Sequence, residues 1–293
     1  MRVFVTGATG WVGTAIVDEL LAAGHEVLGL CRSDEKAALL TAKGAGVVRG
    51  SLEDIDGLVV AARQADAVIH TAFGHDFSKF AENSEQDRRV IEAMGEALLG
   101  TEKRILVTTG LLLLAPGRVA TELDMPPLSD PSYPRKTEVA VEALMKRGVK
   151  ISVVRLAPTV HGIGDRMFLG MLADLAREKG VSAYIGEGAN RWSAVHVSDV
   201  GRLYRLALEA ATLAPVYHAS AEGAVPFRAI AQAVGDALGL PVDSCARDHF
   251  GWFAEFVEND GPISSDLTRE RTGWDPTGPD LLVDLAEPGY FTK

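Results

Sequence analysis

The sequence predicts an α/β fold: a doubly wound parallel sheet with a smaller C-terminal lobe. Three observations carry this. Short β-rich runs alternate with amphipathic helical patterns through the first half. The runs are apolar on both faces, as strands covered on both sides are. A glycine-rich turn, TGATGWVG at residues 6–13, joins the first run to the first helical pattern.

The elements follow in order. Residues 2–6 form the first strand, and residues 11–23 a helix with Val12, Ile16 and Leu20 on one stripe. Gly24 closes that helix. HEVLGLC is the second strand, and residues 34–42 the second helix, capped by Ser33. VVRG, then a helix over residues 51–65, then DAVIHTA continue the alternation. A long helix over 83–99 precedes the strand KRILVTT. The segment APGRVATELDMPPLSDPSYPRK breaks the rhythm with five prolines, and a loop of this length is functional or mobile. A helix over 136–147 and the strand KISVVRL follow. The predicted division is a nucleotide-binding domain over 1–160 plus about 193–222, and a lobe over about 161–192 and 223–293.

Composition narrows the class. Of 293 residues, 47% are hydrophobic and 24% charged, enough apolar material for a sizeable core. The net charge of −11, without a basic run, argues against nucleic acid and anionic membrane surfaces. Cys31 and Cys245 fit a reducing compartment and no disulfide framework. No stretch is long enough to cross a bilayer, and MRVFVTGATG reads as a strand and turn rather than a signal peptide, so a cytoplasmic location is expected. The sequence leaves the oligomeric state open.

The turn carries the first chemistry. Gly7 permits the tight bend, Gly10 a close backbone approach to a pyrophosphate, and Gly13 close helix packing. Thr9, Trp11 and Val12 fill the turn, whose helix start offers free N–H groups to phosphate. The plain alternative is a structural turn. Strand, spacing and helix together favour a dinucleotide.

TGxxGxxG resembles the form used by extended and atypical short-chain dehydrogenase/reductases. DAVIHTA, ATELDMPP, VVRLAPTVHG and RWSAVHVSDVGR resemble further segments of that family, out to about residue 220. The resemblance implies a Rossmann-type fold and an NAD(P) cofactor. It implies cofactor contacts from Ser51 and Leu52 at the adenine, from Thr71, Ala72 and Phe73 at the nicotinamide ribose, and from Thr108, Thr109, Pro158 and Val160. Relatives that use NAD place an acidic residue after the second strand. Here that place reads Arg32-Ser33, which suits a 2′-phosphate and hence NADPH, with NADH as the alternative.

The family reduces carbonyls with a Ser, a Tyr and a Lys four residues after it. Laid on VTTGLLLLAPG, the catalytic Ser falls on Gly110. Laid on TEVAVEAL, the Lys falls on Glu138 and the Tyr on Pro134. Tyr133 and Lys136 lie nearby, but three apart, and Pro134 keeps Tyr133 out of the helix. The dyad is therefore expected to be absent and the catalytic residues unknown.

Within the family the chain resembles the triad-less, angucyclinone-type ketoreductases. That implies NAD(P)H-dependent reduction of an aromatic polyketide ketone, with a neighbouring phenol of the substrate assisting. Gly110, Tyr133, His161, Met167, Phe250 and Trp252 are the candidate substrate contacts, HFGWF being the most suggestive run, with the proline-rich loop closing over it. Packing in the lobe's core is the plain alternative for each. His70, His75, His161, His196 and His218 show no metal-ligand spacing. Asp199 reads as a helix cap. Other readings kept open are a cofactor-sensing regulator of the NmrA type and a nucleotide-sugar epimerase or dehydratase.

Overall fold

A computed structural model describes residues 1–292 except His75, Leu113, Pro116, Pro131, Ser132 and Pro134, and except the side chain of Phe77. The Pro134 position and His75 thus lie outside the described residues.

The first half alternates as expected: β1 (Arg2–Thr6), α1 (Trp11–Ala22), β2 (Glu26–Cys31), α2 (Asp34–Ala42), β3 (Gly46–Arg49), α3 (Ile55–Gln64), β4 (Ala67–His70), α4 (Phe80–Ala97) and β5 (Arg104–Gly110). Then come α5 (Thr137–Lys146), β6 (Lys150–Leu156), β7 (Thr159–His161), α6 (Phe168–Lys179), β8 (Ser182–Tyr184), β9 (Arg191–His196), α7 (Val197–Glu209) and β10 (Val216–Ala219). The chain finishes with β11 (Glu222–Pro226), α8 (Phe227–Leu238), β12 (Val242–Ser244), α9 (Ala254–Glu258), α10 (Asp266–Thr272) and α11 (Leu281–Leu285).

Seven strands form one sheet in the order β10-β6-β5-β4-β1-β2-β3. Every pairing in it is parallel. The order reverses between β1 and β4, so the crevice beyond their carboxyl ends is where ligands bind in such sheets. This is the Rossmann-type arrangement. Alternation within the strands explains the two layers. Val3 and Val5 pack with Ile16, Leu20 and Tyr204 on one face; Phe4 packs with Ile91, Met94 and Leu144 on the other. Each such side chain contributes about 1.5–3 kcal/mol on burial.

A third apolar cluster gathers Trp192, Phe227, Phe253, Leu281 and Tyr290 beyond the main sheet. There β9 pairs with β7 in parallel and with β11 antiparallel. Two local expectations are corrected. The helix expected from residue 51 starts at Ile55, because the Asp54 carboxylate caps it, accepting from Gly57 N at 3.1 Å. Asp199 does not cap α7: His196 does, accepting from Ser198 N. Asp199 instead accepts from the Thr277 and Gly278 N–H groups at 3.0 and 2.8 Å, fastening the C-terminal segment.

The proline-rich loop is tied down over its first part rather than free to close. Gly117 N donates to Asp260 O, and Ala120 pairs with Ile263 as an isolated bridge. The buried Glu122 carboxylate accepts from both the N–H and the hydroxyl of Thr268 at 2.6 Å.

Candidate active site

The glycine turn has no room for a side chain at Gly7 or Gly13. Gly7 has φ +68°, and a Cβ there would meet Thr71 Oγ1 at 2.6 Å and Ala72 N at 2.8 Å. A Cβ on Gly13 would lie 2.0 Å from Gly7 O. On Gly10 it would touch only Gly7 O, at 3.2 Å. No side chain caps the start of α1. The turn therefore presents uncapped N–H groups across an open glycine, and it fits a pyrophosphate. Trp11 Nε1 donates to Val160 O at 2.8 Å, which joins the turn to the end of β7. Thr71 Oγ1 donates to Thr6 O at 2.8 Å, placing residues 71–73 against the turn.

At the other end, Arg32 is exposed, and among the described residues its side chain has no ion pair. Ser33 Oγ accepts from Lys36 N as the cap of α2. Arg49, at the end of β3, reaches the same corner: Nη2 lies 3.0 Å from Asp34 Oδ1, and Nη1 3.8 Å from Cys31 Sγ. Ser51 and Leu52 are half-buried in the following turn, where Ser51 Oγ donates to Glu53.

A buried chain runs from the turn to the start of α5. His70 Nε2–H donates to Asp87 Oδ1 at 3.0 Å, which leaves Nδ1 to accept from the Thr6 hydroxyl at 2.7 Å. The other Asp87 oxygen accepts from the Thr137 hydroxyl and lies 3.8 Å from Arg135 Nη2. Burial pushes the Asp87 carboxyl up, but the hydrogen bond from His70, the Arg135 charge and the Thr137 hydroxyl outweigh it and hold it low. Thr108 Oγ1 donates to His70 O and accepts from the Tyr204 hydroxyl at 2.6 Å, so its side chain is already engaged. Thr109 is buried beside it; Gly110 is exposed, with open space where a Cβ would be.

The lysine place is occupied by a structural ion pair. Glu138 Oε1 and Oε2 accept from Arg155 Nε and Nη2 at 2.9 and 2.7 Å. Arg155 is 0% exposed. Its Nη1 donates to Asp124 O at 2.8 Å and faces His218 Nε2. Burial lowers the His218 ring to about 4. Tyr133 and Lys136 do not form a dyad: Lys136 Nζ donates to the Tyr133 carbonyl at 2.7 Å, not to its phenol. Burial, with Glu138 nearby, raises the Tyr133 phenol, against the lowering pull of Arg155 and Arg135. A tyrosine general acid needs the opposite shift.

The expected substrate contacts are not brought together as one wall. His161 is buried, its Nδ1 2.6 Å from Asp284 Oδ2 and its ring 5.4 Å from His196. Phe250 is buried in the third apolar cluster, whereas Trp252 is 58% exposed. Met167 is half-buried and caps α6 through its backbone, its N–H donating to Asp165. Pro158 is half-buried two residues before Val160.

Arg135, Asp87 and Arg49 escaped the sequence reading. Arg135 sits in a proline-rich loop and Asp87 in the charged run NSEQDRR. Neither carries a spacing signal. Only the fold places the Arg135 guanidinium 3.6 Å from the Phe73 ring. Among the described residues no cluster of His, Cys, Asp and Glu is arranged for a metal ion, and no helix is long and apolar enough to cross a membrane.

A Rossmann-type sheet with a vacant-shouldered glycine turn at its switch point defines a dinucleotide-binding protein. The chain belongs to the NAD(P)H-binding family, which it matches over residues 7–162. It is 48% identical over 99% of its length to the uncharacterized protein C2A9.02 of Schizosaccharomyces pombe, covering 100% of that protein. It is 42% identical over 97% of its length to the uncharacterized protein YLL056C of Saccharomyces cerevisiae, covering 98% of it. At 26% identity it covers 75% of 4-hydroxy-2-methyl-3-oxo-4-farnesyl-3,4-dihydroquinoline-1-oxide ketoreductase of Stigmatella aurantiaca, with 83% of this chain aligned. The fold matches MoeE5 in complex with UDP-glucose and NAD with a TM-score of 0.76, at 23% identity over 100% of this chain and 98% of that one. Together these support an NAD(P)H-dependent oxidoreductase.

Proposed function

We propose that this protein is an NADPH-dependent ketoreductase for an aromatic, phenol-bearing ketone of the angucyclinone type, working without the Ser/Tyr/Lys triad. One observation carries the reading. The glycine turn is intact, while Glu138, at the lysine place, is consumed by its two-point pair with Arg155. Epimerases and dehydratases of this fold need a cation there, so the same observation disfavours that alternative. The ketoreductase relative supports the reaction class.

When bound, the cofactor supplies a hydride to the carbonyl carbon, and the carbonyl π pair moves onto oxygen, which then takes a proton. The protein's residues bind and align. The uncapped start of α1 holds the pyrophosphate. Arg32 takes the 2′-phosphate, with Arg49 beside it. Residues 71–73 line the nicotinamide ribose. Tyr133 is a poor proton donor because its phenol is pushed up. A phenol beside the ketone, already hydrogen-bonded to it, supplies the proton instead, and half-buried Tyr133 offers it flat apolar surface.

The test is NADPH oxidation against aromatic ketones with and without a neighbouring phenol. Turnover confined to the phenol-bearing ketones is expected. Equal turnover of both sets overturns substrate assistance. Tight NADPH binding with no turnover replaces the enzyme by a cofactor sensor.

A further inference from the structure

Arg135 is a cation that the reading above leaves without work. Arg135 lies just before α5, between the ends of β4 and β5. Its guanidinium carbon is 3.6 Å from the centre of the Phe73 ring. Nε donates to Thr137 Oγ1 at 2.7 Å, and Nη2 reaches Thr108 O at 3.4 Å. Asp87 stands 3.8 Å away, too far for a close pair, and its oxygens already serve His70 and Thr137. The side chain is 18% exposed. Among the described residues no hydrogen bond engages Nη1, and the side chain keeps part of its surface exposed.

This is an aimed charge. Phe73 fixes the guanidinium plane by stacking. Thr137 and Thr108 hold one edge, and the other edge remains free. The residue under the guanidinium, Phe73, ends the segment that abuts the glycine turn through Thr71 and Ala72. A fixed donor in a partly dry site does most where negative charge develops.

We propose that Arg135 is the anion-holding group of the reduction centre: its free guanidinium edge receives the substrate oxygen that gains negative charge. The inference rests on the ketone-reduction reading and deepens it. Arg135 stays protonated and gives up no proton. It stabilises by charge the oxygen to which the substrate phenol delivers its proton. Thr137 and Asp87 act through it as positioning residues.

The experiment has two arms. In the first, salicylate, a carboxylate beside a phenol, is titrated by calorimetry into the NADP⁺-loaded protein. Wild type binds it; Arg135→Gln weakens binding at least about tenfold, and Arg135→Lys falls between, since it keeps charge and loses the fork. Wild-type protein is also treated with phenylglyoxal, an arginine-selective reagent, and Arg135 is followed by mass spectrometry, which needs no variant to fold. Salicylate with NADP⁺ should protect Arg135. Absence of salicylate binding, equal binding by Arg135→Gln, or no protection overturns the inference. The second arm reads turnover of a phenol-bearing ketone, where Arg135→Gln should lose about 100-fold or more in kcat. Wild-type rates in that variant overturn the inference and leave the ketone reading standing. Arg135-dependent salicylate binding by a protein that reduces no ketone removes the reading and upholds the anion site.

Discussion

Glu138 and Arg155 face each other in a buried two-point ion pair, 17 residues apart in sequence, between the first turn of α5 and the end of β6. Each charge is held chiefly by the other and by the hydrogen bonds around it, with Arg135 also acting on Glu138. Breaking such a pair costs about 3–5 kcal/mol because a charge is left buried alone. Glu138→Lys restores the lysine that related enzymes carry, yet it sets two cations together. A large drop in the denaturant midpoint is expected, with no gain in ketone turnover. A stable, more active Glu138→Lys protein would show that the lysine place is still catalytic.

Tyr133 and Lys136 meet through a backbone carbonyl rather than a phenol. Tyr133→Phe and Lys136→Ala should therefore keep kcat within about tenfold of wild type, whereas loss of a true general acid costs about 10²–10⁴-fold. Steady-state kinetics on a phenol-bearing ketone decides this. A loss of several orders of magnitude in either variant ends the triad-independent account.

Arg32 and Arg49 converge on the corner between β2 and β3, and Asp34 already pairs with Arg49. Removing Arg32 should raise the Kd for NADPH about tenfold or more and leave NADH nearly unchanged, since only NADPH carries the extra phosphate. Arg49→Ala should give a smaller shift of the same sign. Fluorescence titration with both cofactors reads it. Equal weakening of both by Arg32→Ala would remove Arg32 from the phosphate subsite.

Burial, with the Asp284 charge in addition, raises the Asp165 carboxyl to about 6 against the Met167 N–H and His161. Its unfolded value is about 3.9. Between these values the folded protein holds a proton that the unfolded chain has released. The contribution of Asp165 to stability is thus fully present below about pH 4 and is lost as pH rises through about 6. Asp165→Asn keeps the hydrogen-bonding oxygen and removes the titration. Relative to wild type it should gain on the order of 2 kcal/mol between pH 4 and 7.5, measured by urea unfolding. A pH-independent difference would mean the carboxyl is not perturbed.

The sheet and the glycine turn were legible because both are local. Alternation from Val3 to Val5 declares two buried faces, and Gly7, Gly10 and Gly13 sit at spacings set by one turn of chain. The ion-pair and network partners were not legible. Asp87, on α4, meets His70 at the end of β4 and Thr137 at the start of α5 only in the folded chain, and nothing near Arg155 in sequence names Glu138. HFGWF misled for a backbone reason. Gly251 adopts φ 54° and ψ −128°, a kink that turns Phe250 into the core and Trp252 out to solvent. Adjacent aromatics in a line of text thus point to opposite sides of the molecule.

The Trp11 hydrogen bond to Val160 has an optical consequence. The indole opens α1 at the dinucleotide turn and lies against Gly162, while Trp192 and Trp274 are sealed in apolar surroundings. An intrinsic fluorophore thus sits at the glycine turn. Excitation of tryptophan should pass to the reduced nicotinamide of a dinucleotide held at this turn, which would let occupancy be followed in real time, without a label and without a substrate.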